Sequence, residues 1–357
     1  MTVRVRASAP GKLVLIGEDA VLFGAPAVVI AVDRRARVEL VSSSSGRWSF
    51  VAPGLAPEPG EFELNADGDL SWLGDALTAP RHFGLVERLL NGLTESGLVE
   101  PRALPPPQAT LDTRAFFHGS GDERKKLGLG SSAALTVALA SALLEWAGKE
   151  SPLDPVWLRV LVDLHRGMQG GLGSGIDVAA SLLGGVVRYQ FKGLGGEPSA
   201  AALSLPENLH MLCIWTGRPA STGDLLARLE VSREEDPKAL ERALGRLGEV
   251  SVEGVGALEG GRSVDFLEAV DVFWSALEDL GREVGLPILS DEHRCLHRLA
   301  RECGTHYKPS GAGGGDFGLA FATDPGLKAA MAARATAGGF AVLDLRVDPT
   351  GLSVQFV

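Results

Sequence analysis

Only three cysteines, Cys213, Cys295 and Cys303, occur in 357 residues. They are too few and too scattered for a disulfide framework, so a reducing compartment is the expected setting. No Cys-x-x-Cys pair accompanies them. That weakens the one zinc reading the chain offers, His293 and His297 four apart on a helical pattern with Cys303 and His306 nearby, since a polar helix face carries histidines routinely. A basic surplus is missing as well: the net charge of −11 argues against general binding to nucleic acid or to an anionic membrane. No apolar run approaches a membrane span, and Met1–Arg6 alternates like a strand without the apolar core of a signal peptide. The Walker pattern G-x-x-x-x-G-K-[ST] is absent, which argues against a P-loop NTPase. The expectation is a cytoplasmic protein acting on a small molecule, without nucleic-acid or membrane partners. Its oligomeric state, monomer or homodimer, is not readable from the sequence.

What is present is ordinary for a folded chain, with 45% hydrophobic and 22% charged residues. The length favours two domains. Composition shifts to a linker-like run at Gly193-Leu194-Gly195-Gly196-Glu197-Pro198, which sets an expected division into 1–200 and 201–357. Strand and helix patterns alternate in both halves, indicating an α+β protein. The spacing predicts a strand over Val3–Val14 broken at Pro10-Gly11, a strand over Ala27–Val32, and paired strands Arg37–Val41 and Arg47–Val51 around a serine-rich tip. Residues 52–80 carry little periodic signal. Helices are expected over His82–Leu93 and Asp291–Glu302, and near 223–230, 237–248 and 263–282.

The chain is organised around Lys126-Leu127-Gly128-Leu129-Gly130-Ser131-Ser132-Ala133-Ala134 and the apolar helical run to Trp146. Gly128 and Gly130 let the backbone turn tightly and approach a ligand. A glycine loop feeding a helix leaves unpaired N–H groups at the positive end of the helix dipole, an anion site. Ser131 and Ser132 add hydroxyls that can cap the helix or reach a phosphate-bound metal. The same residues fit the dinucleotide fingerprint G-x-G-x-x-A. That fingerprint needs a strand running into its first glycine, whereas Gly121–Lys126 reads as a charged loop.

Three further glycine motifs carry reactive groups or close approaches. Lys12 follows the Pro10-Gly11 turn; otherwise it is a solvated turn lysine. Five glycines surround Ser174 and Asp177 in Gly167–Asp177, where Asp177 also suits a helix N-cap. The last is Lys308-Pro309-Ser310-Gly311-Ala312-Gly313-Gly314-Gly315-Asp316.

In order and wording these motifs resemble those of the GHMP small-molecule kinases, over essentially the whole chain. Pro10-Gly11-Lys12-Leu13 through Gly17-Glu18 resembles that family's first motif, Gly128–Ala134 its phosphate-binding motif and Lys308–Gly315 its third. Within the family the chain is most similar to phosphomevalonate kinases, on Lys126–Ser132, Gly173–Ala180, Trp215–Thr222 and Gly315-Asp316. Mevalonate kinases usually place a histidine where Asp19 stands, a glycine where Asp316 stands and a glutamate near Arg166. Asp19 is also not the tyrosine of some phosphomevalonate kinases.

The resemblance implies an N-terminal domain like domain 2 of ribosomal protein S5 and a ferredoxin-like C-terminal domain. It also implies ATP and Mg²⁺ as cofactors, and transfer of phosphate to phosphomevalonate, or alternatively to mevalonate. Lys126, Gly128, Leu129, Gly130, Ser131, Ser132 and Ala133 should bind ATP, with Ser132 on the metal. Lys12 and Asp177 should be catalytic. Ser174, Gly175, Arg218, Ser221, Thr222, Ser310, Gly311 and Ala312 should contact the acceptor. A non-catalytic sensor on the same fold is disfavoured because Lys12, Ser132 and Asp177 are all retained.

Overall fold

The computed structural model describes residues 4–43, 45–65, 70–74, 78–119, 121, 124–149, 156–171, 173–192, 196–219, 229, 231–232, 234–285, 288–311 and 313–356. Statements of absence below refer to these residues. Ala312, Ser221 and Thr222 lie outside them, as does nearly all of the helix expected near 223–230.

The first sheet has nine strands and is organised on β1 (Arg4–Ile16) and β2 (Pro26–Ser42), paired antiparallel along most of their length. Pro10-Gly11 does not break β1. The pairing shifts register between these two residues, and a bulge accommodates a residue with no N–H to give to the ladder. Gly11 is required there, because a Cβ would lie 2.6 Å from the Leu129 carbonyl oxygen and 2.7 Å from the Phe116 ring. Likewise β2 is one strand where two were expected. Its first half, Pro26–Val32, is buried on both faces, and only beyond Asp33 does exposure begin to alternate, so the periodicity changes where the chain does not. Arg35, in the middle of β2, ion-pairs with the buried Asp348 and donates to the Ser8 carbonyl at 2.8 Å and the Gly351 carbonyl at 2.5 Å.

The expected hairpin between 37–41 and 47–51 is not formed. β6 (Pro107–Asp112) inserts between them, antiparallel to β2 and parallel to β3 (Trp48–Val51). Stretch 52–80 supplies the two outermost strands of this flank, β4 (Gly60–Leu64) and, at the edge, β5 (Leu70–Trp72). Phe62 in β4 lies between Trp48, Phe50 and Trp72 with ring centroids 5.4–5.7 Å apart, so the sheet edge is held by aromatic packing rather than by a clean alternation. On the other flank β9 (Val186–Phe191) pairs with β2 and β10 (Pro198–Leu203). Helices α1 (Thr78–Glu95), α2 (Ser131–Trp146), α3 (Val156–Met168) and α4 (Ile176–Leu183) complete this part, and α2 is buried nearly all round.

The second sheet runs β12 (His306–Ser310), β13 (Phe317–Ala322), β11 (His210–Trp215), β14 (Ala341–Leu343), all antiparallel. It is accompanied by α5 (Pro237–Glu259), α6 (Ser263–Glu283), α7 (Asp291–Glu302) and α8 (Pro325–Ala337). Asp236, Ser290 and Asp324 cap α5, α7 and α8 with side-chain oxygens. The final strand, β15 (Ser353–Phe356), returns to pair with β1 at Val5–Ser8 in the first sheet. A two-stranded hairpin, β7 (Phe117–His118) with β8 (Lys125–Lys126), precedes the central loop.

Candidate active site

The central loop ends in a helix start with no side-chain cap: Gly130, at φ 74°, occupies the N-cap of α2. Gly128 has φ 78°, and both conformations suit glycine alone. Without a Cβ at 128 and 130 the backbone here can approach a ligand closely, and with the first-turn amides of α2 it can form a cradle for phosphate. The preceding strand, β8, is a hairpin arm of two residues rather than a strand of the main sheet, so the dinucleotide context is indeed lacking. Among the other residues expected to bind nucleotide, Leu129 is buried and its carbonyl accepts the backbone N–H of Lys12 at 2.9 Å. Ser131 and Ala133 are buried, Ser132 is half-buried and Lys126 is exposed.

Lys12 and Asp177 converge on the face of Gly130 toward which a side chain there would point. A Cβ at 130 would lie 3.3 Å from Lys12 Cγ and 3.6 Å from Asp177 Cβ. Lys12 arrives on β1, tied to the loop through Leu129. Asp177 arrives on the first turn of α4, whose N-cap is Gly175 at φ 79°; its Oδ1 accepts the Val178 N–H at 3.0 Å. A Cβ on Gly175 would meet Val162 at 2.6 Å. Helix α4 is fixed to β1 by Ser181, whose hydroxyl donates to the Pro10 carbonyl at 2.7 Å. It is fixed to β9 by Tyr189, whose hydroxyl donates to the Ser174 carbonyl at 2.5 Å. Burial, with Asp177's charge behind it, pushes the Tyr189 hydroxyl well above its usual range, so it stays a donor.

The third glycine motif meets the other side of the loop. The Asp316 carboxyl occupies the space a Cβ on Gly128 would need. Asp316 itself has φ 59° and is clamped: its N–H donates to the Arg218 carbonyl at 2.7 Å, and its carbonyl accepts from Thr216 N–H at 2.9 Å and Thr216 Oγ1 at 3.0 Å. One residue earlier, the Gly315 carbonyl accepts from His293 Nε2 at 2.9 Å, which leaves His293 Nδ1 to accept from the Tyr307 hydroxyl at 2.8 Å. Burial drives His293 down to about 4, so this clamp is neutral imidazole. His297 stacks on Trp274 with centroids 4.0 Å apart, and His306 bonds Asp271. The three histidines thus work in separate contacts, and the described residues contain no cluster of metal-ligating side chains.

The expected acceptor residues divide. Ser174 and Gly175 lie at the head of α4 beside Asp177. Ser310 is buried and its hydroxyl bridges both backbone groups of Val14, accepting from N–H at 2.8 Å and donating to C=O at 3.0 Å, so it docks β12 on β1. Gly311 follows Ser310 directly at the end of β12, at φ 121°. Arg218 is exposed and reaches Glu292 at 3.9 Å, a surface pair of little energetic consequence.

Sequence reasoning missed one group entirely. Lys308, wholly buried, ion-pairs with the buried Glu18, donates to the Pro309 carbonyl at 2.6 Å and lies 5.3 Å from the Phe273 ring centre. Burial pushes Glu18 up and Lys308 down, and each partner's charge pulls the other back. The signal for Lys308 in the sequence is a lone lysine heading the third glycine motif, Lys308-Pro309-Ser310-Gly311.

Residues 112–185 match the N-terminal domain of GHMP kinases. A phosphomevalonate kinase from Streptomyces sp. (strain CL190) is 30% identical over 336 residues, covering 87% of this chain and 88% of its own. The chain belongs to the GHMP kinase family. A mevalonate kinase from Thermococcus sibiricus is 29% identical over 99% of this GHMP kinase and 98% of itself. Among solved structures, the Lin0012 protein from Listeria innocua superposes with a TM-score of 0.82 at 25% identity over 99% of both chains. Streptococcus pneumoniae phosphomevalonate kinase, in complex with phosphomevalonate and AMPPNP, superposes at 0.74 with 21% identity over 97% of this chain and 99% of its own. The two-sheet architecture is therefore the GHMP kinase fold, and the protein is a kinase of that family.

Proposed function

We propose that the enzyme transfers the terminal phosphoryl group of ATP to 5-phosphomevalonate, giving 5-diphosphomevalonate. The observation that carries the kinase chemistry is the convergence of Lys12 and Asp177 on Gly130 of the phosphate loop. The phosphomevalonate kinase relative and the Gly315-Asp316 wording support the acceptor.

Phosphoryl transfer asks a protein mainly for positioning and charge neutralisation. The amides of 128–133 and the N-terminal end of α2 hold the nucleotide phosphates. Ser132, at the second position of α2, fits as the residue that would hold Mg²⁺, which when bound neutralises charge on the phosphate oxygens. A phosphomonoester acceptor has its second pKa near ~6 and reaches the site largely as a dianion. The obstacle is repulsion between two polyanions, and Lys12, beside Gly130 of the loop, is the side chain that relieves it. At an effective dielectric of ~20, one cation–anion contact at ~4 Å is worth roughly 4 kcal/mol before desolvation. Asp177 orients the acceptor and receives a proton where the acceptor is a hydroxyl.

The second reading is mevalonate kinase, favoured by relatives matching 99% of the chain at 29% and 28% identity. Coupled ADP release with 5-phosphomevalonate and with mevalonate decides between them. Turnover of 5-phosphomevalonate at least tenfold better supports the proposal, and preference for mevalonate replaces it with the second reading.

A further inference from the structure

The second sheet touches the phosphate loop through a carboxylate. Asp316, half-buried, stands between the glycine run 313–315 and β13. Its φ of 59° lies in the left-handed region, which a residue with a Cβ enters only at a cost. Glycine, the residue at the three positions before it, would sit there freely. A carboxyl is therefore kept where the backbone alone favours none.

The backbone around it is fixed on both sides. The Asp316 N–H and C=O are bonded to the Arg218 carbonyl and to Thr216, and the His293 ring holds the Gly315 carbonyl. Those bonds leave the side chain pointing at the loop, where its carboxyl carbon and both oxygens fill the space of a Cβ on Gly128. Gly128 is the first glycine of the stretch whose amides hold the nucleotide phosphates in the proposed function. The cations nearby make other contacts. Lys125 donates to the Gly217 carbonyl at 3.3 Å, Arg218 reaches Glu292 at 3.9 Å, and Arg124 lies 4.0 Å over the Phe117 ring.

A carboxylate beside an anion site opposes anion binding, and the repulsion grows with the charge of the ligand. Above pH 7 free ADP carries about −3 and its magnesium complex about −1. The same carboxylate thus penalises metal-free nucleotide about three times as heavily, on a logarithmic scale, as the metal-bound form.

We propose that Asp316 is a specificity-determining residue that makes the phosphate loop select nucleotide already carrying its divalent cation. Its carboxylate repels the phosphates of metal-free nucleotide and tolerates those of the magnesium complex, without itself binding the metal. The inference rests on the placement of the phosphates on residues 128–133 and holds for either acceptor.

The test is calorimetric titration with ADP at about pH 8, once with excess EDTA and once with saturating Mg²⁺, on wild type, Asp316→Asn and Asp316→Gly. Asparagine tolerates the left-handed backbone and glycine relieves it; thermal unfolding checks that both variants fold. Metal-free ADP should bind about tenfold more tightly to each variant than to wild type, and Mg·ADP only about twofold more tightly. Raising salt from ~0.1 to ~1 M shortens the Debye length from about 10 to about 3 Å, so the tenfold gap should shrink to about threefold, which a change in loop shape alone would not produce. Equal tightening of both forms, or unchanged affinity for metal-free ADP, overturns this inference alone. Weaker binding of Mg·ADP by the variants also overturns it, making Asp316 a ligand of the metal instead. Gly130→Ala strains the loop at φ 74°; ADP affinity indifferent to that change overturns the placement of the phosphates and this inference together.

Discussion

Lys12 and Asp177 are joined through one glycine, yet their substitution should separate two kinds of phosphoryl transfer. Where two polyanions react, cations dominate, and Lys12→Met should cost more in single-turnover rate than Asp177→Asn, by about tenfold or more for a contact worth a few kcal/mol. Where the acceptor is a neutral hydroxyl, the order should reverse, since that proton needs a base. Equal losses would leave the charge argument without support. Lys308 makes a different point. Removing one member of a buried ion pair leaves the other charge uncompensated, so Lys308→Met should lower unfolding free energy by about 3–5 kcal/mol in urea titration, and Glu18→Gln added to it should restore part of the loss. Asp19 gives a stability signature of its own. Burial first, and the Glu18 charge second, raise its carboxyl in the native state to about 7 from the ordinary aspartate value of 3.8, so between those values the folded protein holds a proton the unfolded chain has released. Stability from this group is complete at low pH and is lost as pH rises through the window. Asp19→Asn should therefore gain about 5 °C in melting temperature over wild type at pH 8 relative to pH 4; a constant difference across that range would contradict the shift.

Among elements, the α2 loop shows why two glycines are needed for two different reasons. Gly130 is confined by Lys12 and Asp177, whereas Gly128 is confined by Asp316 from the other sheet. Gly128→Ala forces the Asp316 carboxyl out and strains a φ of 78°, so nucleotide affinity should fall about tenfold or more, as for the loss of one charge-assisted contact. Combining it with Asp316→Gly removes the collision and should recover part of the affinity, measured by calorimetric titration with ADP; no recovery would place the cost in the loop backbone alone. The third motif depends likewise on α7 and β12, because His293 and Tyr307 hold the Gly315 carbonyl two residues from the loop edge.

For the whole molecule, the two sheets are joined at several points close to the site. Ser310 bridges Val14, Lys308 pairs with Glu18, and the β7–β8 hairpin brings His118 to 5.0 Å from Trp215 and Lys125 to 3.3 Å from the Gly217 carbonyl. The last strand then crosses back to β1, the strand that carries Lys12. Removing residues 352–357 leaves Val5–Ser8 as an exposed strand edge, so amide exchange should accelerate about 100-fold or more at β1, equivalent to about 3 kcal/mol of local stability, and much less at β11–β13. Uniform acceleration through both sheets would instead mean that they unfold as one unit.

Glycine in a left-handed turn, a lysine after Pro-Gly and an aspartate heading a short helix are local signatures, and they were readable because backbone geometry constrains residue type directly. The motif order carried the family, and the helices over 82–93 and 291–302 followed from their periodicity. The order of β2, β6 and β3, the unbroken course of β1 and β2, and the return of β15 were not readable, since strand pairing joins residues far apart and a strand buried on both faces has no alternation to report. The same limit hid Lys308 with Glu18 and Asp316 over Gly128. A side chain's partner across nearly 300 residues leaves no trace in its own neighbourhood, and only the folded chain brings the two into the same low-dielectric space where their charges and hydrogen bonds count.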